Sequence, residues 1–102
     1  MEYVYKVEIV LDEDKLAQAG KSAEEVCADI DKHFQKPGIL KDIENKNIVY
    51  YSNDEDKDDS ITAAVMMVYL SAERPYIKAM TWHNKLLGSV EDVLEEVKKG
   101  GL

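Results

Sequence analysis

Residues 61–70, Ile-Thr-Ala-Ala-Val-Met-Met-Val-Tyr-Leu, decide which of two folds the sequence predicts. The preceding Asp58 and Asp59 favour a helix, because negative charge is stabilising at a helix N-terminus, and the alanines and methionines also suit one. The β-branched and aromatic residues of the segment favour a strand. A run that is apolar on both faces is typical of a central strand. We therefore predict a strand here, and a helix is the alternative.

The residues before this segment give clearer patterns. Residues 3–11 alternate with a period of two and predict a strand, and residues 12–19 predict a short helical stretch around Leu16. Ser22 and Glu25 form a capping box that begins a helix, which Pro37 and Gly38 end. Residues 39–44 predict a weaker strand with Ile39 and Ile43 buried, and residues 48–51 predict a further strand.

After residue 70 the sequence predicts a turn, one more strand and one more helix. The strand covers residues 76–82, and residues 83–85 have turn chemistry. Ser89 is the predicted N-cap of the last helix, with Asp92 three positions on and Val90 on its apolar face.

This order, β-α-β-β-β-α, predicts the α+β class. We expect a single domain over residues 1–102, a two-layer sandwich in which a mostly antiparallel sheet of about four strands carries two helices on one face. If residues 61–72 are helical, the order becomes βαβαβα and a parallel pairing enters.

Composition restricts the functions that the chain can have. Thirteen Lys and Arg against 21 Asp and Glu give a net charge of −8 over 102 residues. That charge repels nucleic acid and anionic lipid, so we predict no direct nucleic-acid binding and no membrane association. A lone cysteine, Cys27, and the lack of a signal peptide predict a cytoplasmic protein.

The acidic stretch Asn-Asp-Glu-Asp-Lys-Asp-Asp-Ser at residues 53–60 resembles part of a calcium loop. Asp54, Asp56 and Asp58 have the spacing of the first three EF-hand ligands. However, Asp59 stands where the loop needs glycine, and Val65 stands where it needs a bidentate glutamate. We predict a solvated, charged connection rather than a metal site, with these three aspartates as weak candidates.

The sequence contains no convincing catalytic group. Cys27 and His33 are six positions apart and point in different directions on the predicted helix, so they do not form a nucleophile and its base. We predict a non-enzymatic protein without a cofactor.

The remaining signal is a surplus of apolar and aromatic residues on the predicted strands. Two helices cannot cover both faces of such a sheet, so an exposed patch remains, and such patches mark contact surfaces. Its predicted members are Tyr50, Met66, Val68, Tyr76 and Trp82.

This patch predicts a protein-interaction module that is a homo-oligomer or binds a protein partner. One alternative is an acidic mimic of nucleic acid that inhibits a DNA-binding enzyme. A second is a ligand-binding domain with Tyr76, Trp82 and His83 in its pocket.

Overall fold

The computed structural model describes residues 2–100, which form one antiparallel sheet and four helices. The strands are Tyr5–Leu11 (β1), Leu40–Glu44 (β2), Asn47–Ser52 (β3), Ile77–Asn84 (β4) and Ser89–Asp92 (β5). The helices are Glu13–Ala19 (α1), Ala23–Phe34 (α2), Asp58–Tyr69 (α3) and Val93–Lys98 (α4). The strand order is β2-β3-β1-β4-β5. The predicted α+β class is confirmed, with five strands instead of about four and four helices instead of two.

The preferred prediction for residues 61–70 is wrong, because residues 61–69 belong to α3 and Leu70 is its C-cap. Its buried residues, Ile61, Ala64, Val65 and Val68, have helical spacing. The sequence did not show this apolar stripe clearly, because the exposed side of the segment carries apolar residues too. Met67 is 55% exposed and Leu70 is 75% exposed. The parallel pairing expected for the helical alternative is also wrong, since every strand pair within residues 2–100 is antiparallel.

The start of the last helix is also corrected. Ser89 is the first residue of the edge strand β5, and Asp92 caps α4 by accepting a hydrogen bond from the Glu95 amide at 3.3 Å. His83 and Asn84 extend β4, and the turn lies at residues 85–88, where Gly88 has a φ of 64°. Val90 consequently lies on a strand and is exposed.

In the first half of the chain the structure agrees closely with the sequence-based predictions. Ser22 accepts a hydrogen bond from the Glu25 amide at 3.1 Å, as the capping box predicts. A tight turn joins β2 to β3, with positive φ at Asn45 and Lys46. Ile43 was predicted to be buried but is exposed, because β2 is an edge strand.

All four helices pack on the same face of the sheet. Their buried residues form one hydrophobic cluster with residues of the three central strands, such as Val7, Tyr50 and Trp82, which are neighbours across β1, β3 and β4. The opposite side of the sheet is called the helix-free face below, because none of the strand residues that point to it belongs to that cluster. Within residues 2–100, none of the helices has the length and hydrophobicity of a transmembrane segment.

Candidate functional site

The helix-free face carries two parallel rows of side chains that run across all five strands. The strand register defines them, because residues directly opposite each other point to the same side. The Lys6 row consists of Leu40, Tyr51, Lys6, His83 and Val90. The Glu8 row consists of Asp42, Val49, Glu8, Thr81 and Asp92.

The Lys6 row is aromatic and basic at its centre. The Tyr3 ring meets the His83 ring edge-on, with the centroids 6.4 Å apart. The ammonium groups of Lys6 and Lys85 lie 5.0 and 4.0 Å from the centroid of the Tyr3 ring. Burial, and after it the positive charge of Lys6, lowers the pKa of His83. This part of the face therefore combines two cations with two rings in edge-to-face contact.

The Glu8 row is acidic. Its three carboxylates belong to Asp42, Glu8 and Asp92, on β2, β1 and β5. None of them takes part in an ion pair among residues 2–100. The backbone amides of Ile43 and Glu95 donate to Asp42 and Asp92. The two rows thus place opposite charges side by side on one surface.

Apolar side chains complete the face. Leu40 and Val90, at the two ends of the Lys6 row, are 56% and 65% exposed. Val49, in the Glu8 row, is fully buried although it is not part of the core under the helices. The helix-free face is therefore a mixed surface, with apolar side chains at both ends of the Lys6 row and carboxylates at both ends of the Glu8 row.

A second polar cluster lies on the helix-covered face, between α2 and the strands β2 and β3. The Tyr50 hydroxyl donates to Asp31, whose other oxygen accepts from Lys41 at 2.8 Å. Lys41 also lies 3.3 Å from the Cys27 sulfur, and the Tyr50 ring stacks on Phe34 with the centroids 4.0 Å apart.

The charges of this cluster neutralise one another. The hydrogen bond to Asp31 raises the pKa of Lys41, while burial and the same carboxylate raise the pKa of Tyr50. These contacts tie α2 to the sheet, and we assign them a structural role.

The predicted patch residues do not meet on an exposed surface. Tyr50, Val68 and Trp82 are 3%, 0% and 8% exposed and belong to the core. Met66 lies half-buried on α3, and Tyr76 lies half-buried in a 3-10 turn, with the Lys21 ammonium 5.4 Å from its ring. Of the predicted patch residues, only Tyr50 and Trp82 lie on the sheet, and they point to the face that the four helices cover. The candidate contact surface is therefore the other face.

The predicted pocket of Tyr76, Trp82 and His83 is not formed either. Trp82 and His83 are consecutive residues of β4, so they point to opposite faces of the sheet.

The three candidate metal ligands shape the backbone instead. Asp54 accepts a hydrogen bond from the Asp56 amide at 2.9 Å in a 3-10 turn, and Asp58 is the first residue of α3. The predicted solvated connection is therefore largely a helix start. Within residues 2–100 no group of three or more His, Cys, Asp and Glu side chains could hold a metal ion.

The residues of the two rows were not singled out from the sequence. The signal was present, because the alternation of residues 3–11 places Lys6 and Glu8 on one face of the strand. Their neighbours on β3 and β4 depend on the register, which a single sequence does not specify across long connections.

Comparisons with protein-family models, with curated proteins and with solved structures find no match to this chain.

Proposed function

We propose that this chain is a non-enzymatic interaction module that pairs with a second copy of itself, helix-free face against helix-free face. The observation that carries the proposal is the side-by-side placement of the Lys6 row and the Glu8 row. A surface with adjacent positive and negative rows is complementary to itself after a half-turn.

The charges select one of two ways to stack the sheets. A two-fold axis parallel to the strands would place Lys6 against the partner's Lys6, and Glu8 against the partner's Glu8. An axis parallel to the rows places each Lys6 row over a Glu8 row. Lys6 then faces the partner's Glu8, and His83 faces the partner's Thr81. The second arrangement avoids like-charge contacts and gives an aligned sheet-on-sheet packing.

The area of the helix-free face determines how tightly we expect the dimer to associate. Five strands about 4.8 Å apart and roughly 20 Å long give about 500 Å² of projected area per copy. The total of about 1,000 Å² is at the low end for specific interfaces. We therefore expect a reversible dimer with a Kd in the micromolar range, roughly 1–100 μM.

Charge reversal tests the arrangement. Lys6→Glu and Glu8→Lys should each weaken the dimer about tenfold or more, because each creates like-charge contacts across the two-fold axis. The double variant Lys6→Glu/Glu8→Lys should restore association, since the pairs are re-formed with exchanged signs. Sedimentation equilibrium measures the Kd, and circular dichroism checks the fold of each variant.

Lys15→Glu is the matched control, because it makes the same charge change at an exposed position of α1. It should leave the Kd within about twofold. A wild-type chain that stays monomeric at several hundred micromolar (roughly several times the weakest expected Kd) contradicts the proposal. So does a double variant as weak as the single ones.

A further inference from the structure

A cavity of about 180 Å³ lies on the helix-covered side, where α3 meets β4 and β5. Its wall residues include Asp58, Val65, Trp82, Asn84, Glu91 and Val93. Its volume equals that of roughly six water molecules. The cavity is separated from the helix-free face by the sheet, so a ligand there would leave the proposed dimer surface untouched.

The apolar part of the cavity is built around Trp82. This residue is the only tryptophan of the chain, and it lines the cavity while only 8% of it is exposed. Its ring packs against Tyr5, with the centroids 6.0 Å apart. Val65 and Val93 are almost fully buried beside it. These groups suit a short alkyl chain, and the face of an indole also attracts a cation.

The charged part of the cavity is negative. Glu91 lies directly across from Trp82 on β5, and Asp58 is the first residue of α3. No Lys, Arg or His of residues 2–100 lines the cavity, and neither carboxylate takes part in an ion pair there. Burial, and next the carboxylates of Asp58 and Glu55, raises the pKa of Tyr5 beside Trp82, as expected in a negative potential.

Asn84 supplies an unused donor. It is 8% exposed, and its Oδ1 accepts from the amides of Leu86 and Leu87 at 3.0 and 3.2 Å. Its Nδ2 donates to no acceptor within residues 2–100. Every fully buried polar side-chain atom of these residues has a hydrogen-bond partner, so the unpartnered Nδ2 is not fully buried. The Nδ2 group is therefore open to the cavity that the side chain lines.

From these groups we infer that the cavity binds a small organic ammonium ion that also carries a carbonyl oxygen. The carboxylates of Glu91 and Asp58 hold the ammonium, the Trp82 ring and the two valines contact the alkyl part, and Asn84 Nδ2 donates to the carbonyl.

The test uses three related compounds and the fluorescence of Trp82. Valinamide carries the ammonium, the alkyl group and the amide carbonyl; 3-methylbutanamide lacks the ammonium, and isobutylamine lacks the amide. At about pH 6.5 the amino groups are protonated. Valinamide should shift the Trp82 emission saturably. 3-Methylbutanamide should bind at least about tenfold more weakly, and isobutylamine about threefold or more.

Variants identify the site. Glu91→Gln keeps the shape of the wall and should weaken valinamide about tenfold. Asp59→Asn is the matched control, because this acidic neighbour of Asp58 does not line the cavity, and it should leave binding within about twofold. Equal binding of valinamide and 3-methylbutanamide, unchanged binding in Glu91→Gln, or no saturable response to any of the three compounds would each overturn the inference.

Discussion

The two faces of the sheet are made by the same strands but are stabilised by different forces. On β1, Tyr5, Val7 and Ile9 point under the helices and are buried, whereas Lys6 and Glu8 point to the helix-free face and are half-buried. Burial of apolar area holds the first face together. The second face keeps its charges near water, where they contribute little to folding.

The polar groups of the two faces also differ in whether they have partners within the chain, and this difference indicates which surface binds a partner. Next to α2, the polar groups of the helix-covered face bond to one another, as those of Asp31, Lys41 and Tyr50 do. The helix-free face has carboxylates that pair with no cation of the same chain within residues 2–100. Groups that folding does not use are available for a partner.

The largest expected effect is a difference in stability between truncations on the two faces of the sheet. Ile9→Ala removes buried methylenes from the core cluster and should lower the free energy of unfolding by about 2–5 kcal/mol. Val10→Ala, the next residue on the opposite face, should lower it by less than about 1 kcal/mol. Urea unfolding at a protein concentration below the dimer Kd measures both. Equal losses would contradict the assignment of the faces.

Two adjacent tyrosines give a sharper contrast. Tyr50→Phe removes the hydroxyl that donates to Asp31 and should cost about 1–3 kcal/mol at neutral pH. Tyr51→Phe removes a hydroxyl from the helix-free face, and its cost should stay within about 0.5 kcal/mol. Thermal unfolding compares the two variants. A larger loss in Tyr51→Phe would reverse the comparison.

Alkaline pH should destabilise the helix-covered face. Burial raises the pKa of Tyr5 and of Tyr50 above that of an unfolded tyrosine. The unfolded chain therefore loses these protons first, so stability is present below pH 10 and is lost as the pH rises. Each of these tyrosines should contribute a slope of about 1.4 kcal/mol per pH unit above about pH 10.

The variant Tyr50→Phe isolates one contribution to that slope. It should unfold with a smaller loss of stability between about pH 10 and 11 than the wild-type chain does. Urea midpoints at several pH values measure the slope for both proteins. Identical slopes would show that Tyr50 keeps an ordinary pKa in the fold.

Salt should produce the smallest effect, and it should act on association only. Raising the ionic strength from about 0.05 to 0.5 M screens the contacts between the Lys6 row and the Glu8 row and should weaken the dimer several-fold. Sedimentation at both salt concentrations measures the change. A dimer that tightens with salt would point to an interface made by the apolar side chains of Leu40 and Val90 instead of the charged ones.

Much of the fold followed from local patterns. Alternation located β1, and the capping box located the start of α2, because both signals depend only on neighbouring residues. The prediction for residues 61–70 failed because apolar residues lie on the exposed side as well as on the buried side. The difference in polarity between two sides, from which a helical period is recognised, is therefore weak. The prediction that Ser89 is the N-cap of the last helix failed because Asp92, three positions later, is an equally good N-cap residue.

The site was harder to predict than the fold. The Lys6 row and the Glu8 row exist only when β1 is placed between β3 and β4 in the correct register, and one-residue slips would move every side chain to the other face. The cavity beside Trp82 likewise combines α3 with β4 and β5, elements that no local pattern connects.

The central position of β1 has a consequence for how the chain folds. Ile9 pairs with Ile48 on one side, and Tyr5 pairs with Asn84, 79 positions later, on the other. Such distant pairings form slowly, because a long loop must close before any contact stabilises it. During synthesis β1 stays without its second neighbour until β4 has left the ribosome, and the strand edge that β4 later covers stays unpaired until that point.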